Sequence, residues 1–298
     1  MARNRDCTVF LLACLAFCIF YLAILREPIM KFNFSRFASD SAVNKISQNY
    51  SLWNECLSNN ISIYRDDPSE LWKNLWKGIE MCEKREEMKY LKIESFSNSD
   101  ETKRHIVSKL EVPSVIITLG IGHDTAAEEK LIKRTPTGSE FFGADPMHEI
   151  NEDLYTKLPG HYFPFAIGAT AGLSEANVLI NTSYVVRTVV NVDILYFLKE
   201  IVQRSFIDDM WIDSEGSEYG MMSYFYNGGK FDQNNIQFCQ FNIEIHSPDE
   251  LQKKLIHDFI FQLLSDRRYA IFRPVQARHM RLYMVNFAHE ECAYKYIL

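Results

Sequence analysis

The chain has 298 residues, 47% of them hydrophobic and 13% aromatic, enough for one large α/β domain with accessory segments. A formal net charge of −7 leaves no basic excess to neutralise a polyanion, which argues against a general nucleic-acid binder. No internal repeat and no low-complexity tract interrupts it, and no CxxC pair or Cys/His spacing suggests zinc.

Residues 8–25 form an uncharged, almost wholly apolar run, preceded by Arg3 and Arg5 and ended by Arg26. Such a run is at the lower limit for crossing a bilayer and longer than the usual core of a signal peptide. Small residues at both −3 and −1 of a cleavage site are missing near its end, so residues 1–25 read as a short cytosolic tip and an uncleaved signal anchor. The positive flank at Arg3 and Arg5 favours a cytosolic N-terminus, although Arg26, Lys31 and Arg36 weaken the bias. Asn33, Asn49, Asn60 and Asn181 each begin an N-x-S/T sequon, and three of them cluster just after the anchor. The expectation is a single-pass type II protein of the endoplasmic reticulum or Golgi, with its bulk in the lumen.

Beyond the anchor, Cys56, Cys82, Cys239 and Cys292 make an even set that suits an oxidising compartment. Of the three possible pairings, Cys56–Cys82 with Cys239–Cys292 is the most local. Small buried thiols are an equally open alternative. Residues 26–50 read as a stem or linker. Residues 51–110 read as a helical preamble, with Trp53, Trp72, Trp76 and Ile79 at roughly helical intervals as core anchors. The main domain is expected over 111–298.

Past Pro113 strand and helix signals alternate. The pattern predicts a strand at 115–119, a helix at 125–133, a strand at 140–144, a helix at 148–158 and a strand at 162–167. A hairpin follows at 173–180 and 184–190, with the Asn181 sequon at its tip. Then come a helix at 192–202, strands at 209–213 and 236–245, and a helix at 248–264 with Leu251, Leu255, Phe259 and Leu263 on its apolar face. Strands at 269–273 and 282–287 close the chain. Alternation implies a mainly parallel sheet covered on both faces, and a terminal strand pair without a long crossover implies one antiparallel member.

The first strand ends in Gly120-x-Gly122, and the second ends at Asp145, 25 positions after Gly120. That spacing places a glycine turn and a carboxylate at adjacent strand ends, where an adenosine-containing cofactor can approach bare backbone and offer its ribose hydroxyls to the acid. The third small residue that a pyrophosphate needs is Thr125 instead, which disfavours a nicotinamide cofactor. A plain tight turn is the bland alternative. Further on, Asp213, Glu215 and Glu218 surround Gly216 after an apolar strand, too dense an acidic group to be buried without partners. Asn242, Glu244 and His246 alternate onto one face of the next strand. His246 is the best single candidate for a base, with Glu244 or Asp213 as alternatives. Asp213, Glu244 and His246 could instead ligate a hard divalent cation that acidifies a hydroxyl.

The segments VIITLGIGHD, FFGADP, WIDSEGSEYG and CQFNIEIH, in this order, resemble the FkbM-type methyltransferase domain and are particularly similar to its nematode membrane-anchored branch. The resemblance covers about residues 110–290. Asp213, Glu215, Gly216 and Glu218 match its D-x-E-G-x-E signature. It implies a class I methyltransferase (Rossmann-like) fold, S-adenosylmethionine as the donor, and O-methylation of a hydroxyl on a sugar or natural product. In that setting Gly120 and Gly122 would shape the donor turn, Asp145 would hold the ribose and Asp124 would border the donor. The family's acid two positions before the first glycine is here Thr118, and Asp145 stands where glutamate is common. A catalytically inactive luminal binding protein on the same fold is the rival expectation. The implied partners are the methyl donor, a glycan acceptor and, through the anchor, a membrane, with no nucleic acid.

Overall fold

The computed structural model describes residues 40–180 and 183–298. The predicted anchor, Asn33 and Asn181 lie outside these residues. Among the described residues no helix is long and apolar enough to cross a membrane.

The described residues open with α1 (Asp40–Ile61) and α2 (Pro68–Glu83), joined by a Cys56–Cys82 disulfide. Proline, which has no N–H to leave unpaired, begins α2, and the Asp67 side chain caps it by accepting from the Glu70 N–H at 2.9 Å. Trp53, Leu57, Leu71, Leu75 and Ile79 bury the inner faces of both helices. Asn49 and Asn60 fall within α1, and the Asn60 amide lies 3.2 Å from the Cys82 sulfur.

The helical reading of 51–110 fails over its last third, where β1 (Ile93–Ser97) and β2 (Thr102–Ile106) form an antiparallel hairpin. The reason is chemical. On β2 the side chains at Lys103 and His105 are buried, so the period-two pattern is written in polar residues.

The main sheet contains β3 (Val115–Leu119), β4 (Glu140–Ala144), β5 (Gly160–Phe163), β9 (Phe206–Ile212), β10 (Gln237–Ile245), β11 (Tyr269–Gln276) and β12 (Met280–Asn286). Its order is β11-β12-β10-β9-β3-β4-β5. Strands β5, β4, β3, β9 and β10 pair in parallel, while β12 runs against both β10 and β11. This is a large mixed α/β sheet with one reversed strand. Helices α3 (Ala126–Ile132) and α4 (His148–Lys157) follow β3 and β4. A second disulfide links Cys239 in β10 to Cys292.

The strand expected at 162–167 divides at Pro164, which has no N–H for a ladder. Its first half is β5; its second is β6 (Ala166–Gly168), in a separate sheet ordered β6-β8-β7 with β7 (Gly172–Ile180) and β8 (Ser183–Asp193). The last long helix, α5 (Glu250–Asp266), starts in a capping box between Asp249 and Gln252. Its buried face is Ile256, Phe259, Ile260, Leu263 and Leu264, whereas Leu251 and Leu255 are exposed at 78% and 46%. Each four-residue step overshoots a turn by about 40°, so the 251/255/259/263 stripe winds off the core-facing side.

Candidate active site

Parallel pairing brings the carboxyl ends of β4, β3, β9 and β10 to one edge, where open α/β sheets bind ligands. At the end of β3, Gly120 has φ +85°, and a Cβ there would sit 2.0 Å from the Asp213 carbonyl oxygen. Glycine is the only residue that fits. The turn is clamped on both sides, with Gly120 N–H donating to the Ala144 carbonyl (2.9 Å) and Asp213 N–H to the Leu119 carbonyl (2.8 Å). Gly122, at φ +64°, has open space around it.

Asp145 is buried and its carboxylate is engaged by the chain itself. One oxygen accepts from the Ile121 and Gly122 N–H groups (2.8 and 3.3 Å), the other from Met147 N–H (2.8 Å). It therefore ties the glycine turn to the end of β4 while also bordering the cleft. Asp124 does comparable work: it accepts from Ser99 N–H and hydroxyl (2.8 and 2.5 Å) and from Ala126 N–H (2.9 Å), fastening the β1–β2 tip to the start of α3. Burial alone would raise its pKa; the Ser99 and Ala126 hydrogen bonds outweigh that and lower it.

Between the turn, the β1–β2 tip, β7, β8 and residues 213–217 lies a cleft of about 700 Å³, within the range of small-molecule sites. Besides Asp213 Oδ1, which is ion-paired with His246, three polar atoms of residues that line it lack a hydrogen-bond partner: Asn151 Nδ2, Asn191 Oδ1 and Ser214 Oγ. Asn151 is fully buried, and its Oδ1 accepts from His123 N–H at 3.0 Å. Buried polar atoms normally find partners, so this set fits a polar ligand such as a nucleoside. Neither Asn151 nor the β7–β8 wall was marked by the sequence, because an asparagine in a helix and an alternating hairpin carry no motif.

Of the acidic group, only Asp213 and Glu215 border the cleft. Behind them His246 is ringed by carboxylates. Its Nε2 is 3.3 Å from Asp213 and 3.6 Å from Glu215, and its Nδ1 is 3.1 Å from Glu218. Burial alone would lower the His246 pKa, but the bonds to Asp213 and Glu218 push it up to about 10. At neutral pH the ring is an imidazolium and has no lone pair with which to take a proton, contrary to its expected part as base. Glu218 also accepts from Gly216 N–H and His246 N–H (both 2.9 Å) and so builds the loop.

Glu244 is matched too. Across the β10–β12 register it meets Arg281, whose Nε lies 2.6 Å from its carboxylate. The remaining Asn242 acts as a strand surrogate, its amide accepting from Arg104 N–H (2.7 Å) and donating to Arg104 carbonyl (2.8 Å); Gln240 does the same for Ile106. These two amides hold the hairpin on the sheet. The hairpin in turn delivers Lys103, buried and paired at 2.6 Å with Glu101. Burial would lower the Lys103 pKa; Glu101, Asp213 and Glu244 raise it and keep it charged. Sequence reading missed Glu101, Lys103 and Arg281. None of the three belongs to a motif, and β2 carries no hydrophobic period to mark it as a buried strand.

For metal ligation, the described residues offer three overlapping groups with ligand atoms within 4.8 Å: Asp213–Glu215–His246, Glu101–Asp213–Glu244 and Glu244–His246–His279. The expected trio of Asp213, Glu244 and His246 is not one of them. A cation here would have to displace the imidazolium or Arg281 from carboxylates they already neutralise. Thr118 lies behind the turn, its hydroxyl donating to Glu128 of α3 at 3.0 Å. Burial pushes the Glu128 carboxyl up to about 7.

A solved structure from Clostridium thermocellum, whose assignment as an rRNA methylase is itself provisional, is 9% identical and covers 59% of this chain and 88% of its own, with a TM-score of 0.32. An uncharacterized protein of Caenorhabditis elegans is 20% identical over 264 residues, 87% of this chain and 83% of its own length. The family model described as Methyltransferase FkbM domain matches residues 64–296, taking in α2 and the β1–β2 hairpin as well as the sheet. With so much of its length matched, the chain belongs to the FkbM methyltransferase family.

Proposed function

We propose that the chain is an S-adenosylmethionine-dependent O-methyltransferase acting on a sugar or glycan hydroxyl in the lumen of the endoplasmic reticulum or Golgi. The observation that carries the reading is the cleft at the ends of β3, β4 and β9, which combines a glycine-only turn with three unpartnered polar atoms. When bound, the donor supplies a sulfonium methyl for in-line displacement, so the protein's contribution is mainly positioning and charge placement. Gly122 leaves open space for it, and Gly120 lets the turn close against the Asp213 carbonyl. Asp145 keeps the turn in shape, and Asn151, Asn191 and Ser214 offer the free polar contacts. Glu215 borders the cleft with its pKa raised, first by burial, and is the best-placed group to take the acceptor's proton.

Donor titration of the full-length protein in detergent tests this. S-adenosylmethionine should bind below millimolar, and Asp145→Ala, which frees three turn N–H groups, should weaken it by at least about tenfold. No binding to the wild type at millimolar donor would sink the reading. It would favour the second one, an inactive luminal binding protein, which Thr118 supports by leaving its place in the turn without an acid.

The luminal placement is supported by two disulfides, by the sequons and by the apolar run at 8–25. Asn49 and Asn60 are within α1, so Asn33 and Asn181 should carry glycans in a secretory host. Peptide mapping that finds none of the four modified would remove the lumen from the proposal.

A further inference from the structure

The wall of the cleft is uneven in charge. Seven carboxylates line it, Asp100, Glu101, Glu175, Asp213 and Glu215 among them, and the described lining residues include no lysine or arginine. Three cations stand behind the wall, Lys103, Arg281 and His246; they pair with Asp100, Glu101, Asp213 and Glu215 of the wall as well as with Glu244 and Glu218 behind it, so carboxylates still outnumber them and Asp145 and Glu175 have no cation among these three. Engagement by backbone N–H groups does not remove the charge of Asp145 or Asp124. That the same cleft takes a ligand is indicated independently by Asn151, fully buried, with an unpartnered Nδ2.

A low-dielectric cleft lined by one sign of charge concentrates ligands of the other sign and repels its own. We infer that this cleft selects by charge: it accepts uncharged or cationic hydroxyl compounds, excludes acceptors bearing phosphate, sulfate or carboxylate, and holds the sulfonium donor more tightly than the neutral thioether left after transfer. The inference rests on the methyl-donor reading above. In the transfer, the acceptor oxygen bonds to the methyl carbon as the sulfur–carbon bond breaks. The electron pair of that bond returns to sulfur, and the hydroxyl proton passes to a wall carboxylate. One positive charge thereby leaves the cofactor, so the wall favours release of the spent cofactor and entry of fresh donor.

Four adenosine ligands titrated into the full-length protein form a charge series: S-adenosylmethionine, S-adenosylhomocysteine, adenosine and adenosine 5′-monophosphate. At about 50 mM salt the sulfonium donor should bind roughly 5- to 10-fold tighter than its thioether, and the monophosphate should bind several-fold weaker than adenosine. Both gaps should shrink to within about twofold near 500 mM, where the screening length is only a few ångströms. Asp100→Asn combined with Glu175→Gln, two exposed positions in the wall, should narrow both gaps at low salt. The inference is overturned if the thioether binds as tightly as the donor at low salt, if the monophosphate matches adenosine, or if the double variant leaves both gaps unchanged. Failure of all four ligands to bind would overturn the donor reading, and this inference with it.

Discussion

The glycine turn after β3 and the charge cluster behind β9 and β10 sit at the same sheet edge but are built in different ways. In the turn, carboxylates are spent on backbone N–H groups: Asp145 on Ile121, Gly122 and Met147, Asp124 on Ser99 and Ala126. In the cluster, carboxylates meet side-chain cations brought from distant parts of the chain, Lys103 from β2, His246 from beyond β10 and Arg281 from β12. The turn is a fixed shape, and the cluster is a balance of charge. A substitution in the first should act through geometry, and in the second through an unmatched charge.

The largest expected effect belongs to the cluster. Lys103→Met takes from the Glu101 carboxylate, 8% exposed, its close partner at 2.6 Å and leaves only Arg281, 3.5 Å away. Removing one member of a buried pair typically costs about 3–5 kcal/mol. Chemical denaturation of the variant should show a loss of this size, and the double variant with Glu101→Met should recover most of it. Recovery that fails to appear would mean that Lys103 acts by packing and not by charge.

Gly120→Ala tests the turn by shape alone. Its Cβ would meet the Asp213 carbonyl oxygen, and its φ of +85° strains any other residue, so a loss of about 2–4 kcal/mol together with donor binding is expected. Gly122→Ala has a positive φ but open space, and should cost only about 1 kcal/mol. Thermal unfolding of the pair separates the two. Equal losses would show that backbone conformation, and not the close approach to β9, makes Gly120 necessary.

The same contrast explains what could be read from the chain. The turn was legible because its parts are close in sequence and each follows an apolar run: Gly120 and Gly122 after β3, Asp145 after β4. Asp213, Glu215 and Glu218 were visible for the same reason. Their partners were not. Lys103 lies in a strand whose buried positions are Lys103, His105 and the terminal Ile106, so the hydrophobic period that marks β3 or β10 is missing there. Arg281 acquires meaning only through the antiparallel register that sets it opposite Glu244. His246 was found, but not its protonation, because three carboxylates converge on it only in the folded chain.

Glu128 is where the two designs meet, a titratable group placed behind the turn. Its carboxyl accepts from Thr118, the residue standing where the family's first motif carries an acid, and burial lifts its pKa from the ordinary 4.5 to about 7. Below about pH 4.5 both folded and unfolded chains are protonated, and the group has no effect on their balance. Between 4.5 and 7 the unfolded chain ionises while the folded one resists, so Glu128 destabilises the fold progressively as pH rises; above 7 the penalty is constant. Glu128→Gln keeps a hydrogen-bonding group beside Thr118 and removes the titration. The variant should therefore gain about 1–3 kcal/mol over the wild type between pH 4.5 and 7.5, a smaller effect than that of Lys103→Met or Gly120→Ala. Denaturation midpoints for both proteins across that window isolate the contribution of Glu128, because every other group cancels in the difference. A difference that stays flat would mean the carboxyl is solvated and ionised throughout, so that an acid does stand behind the turn, one residue layer from where the family's first motif would put it.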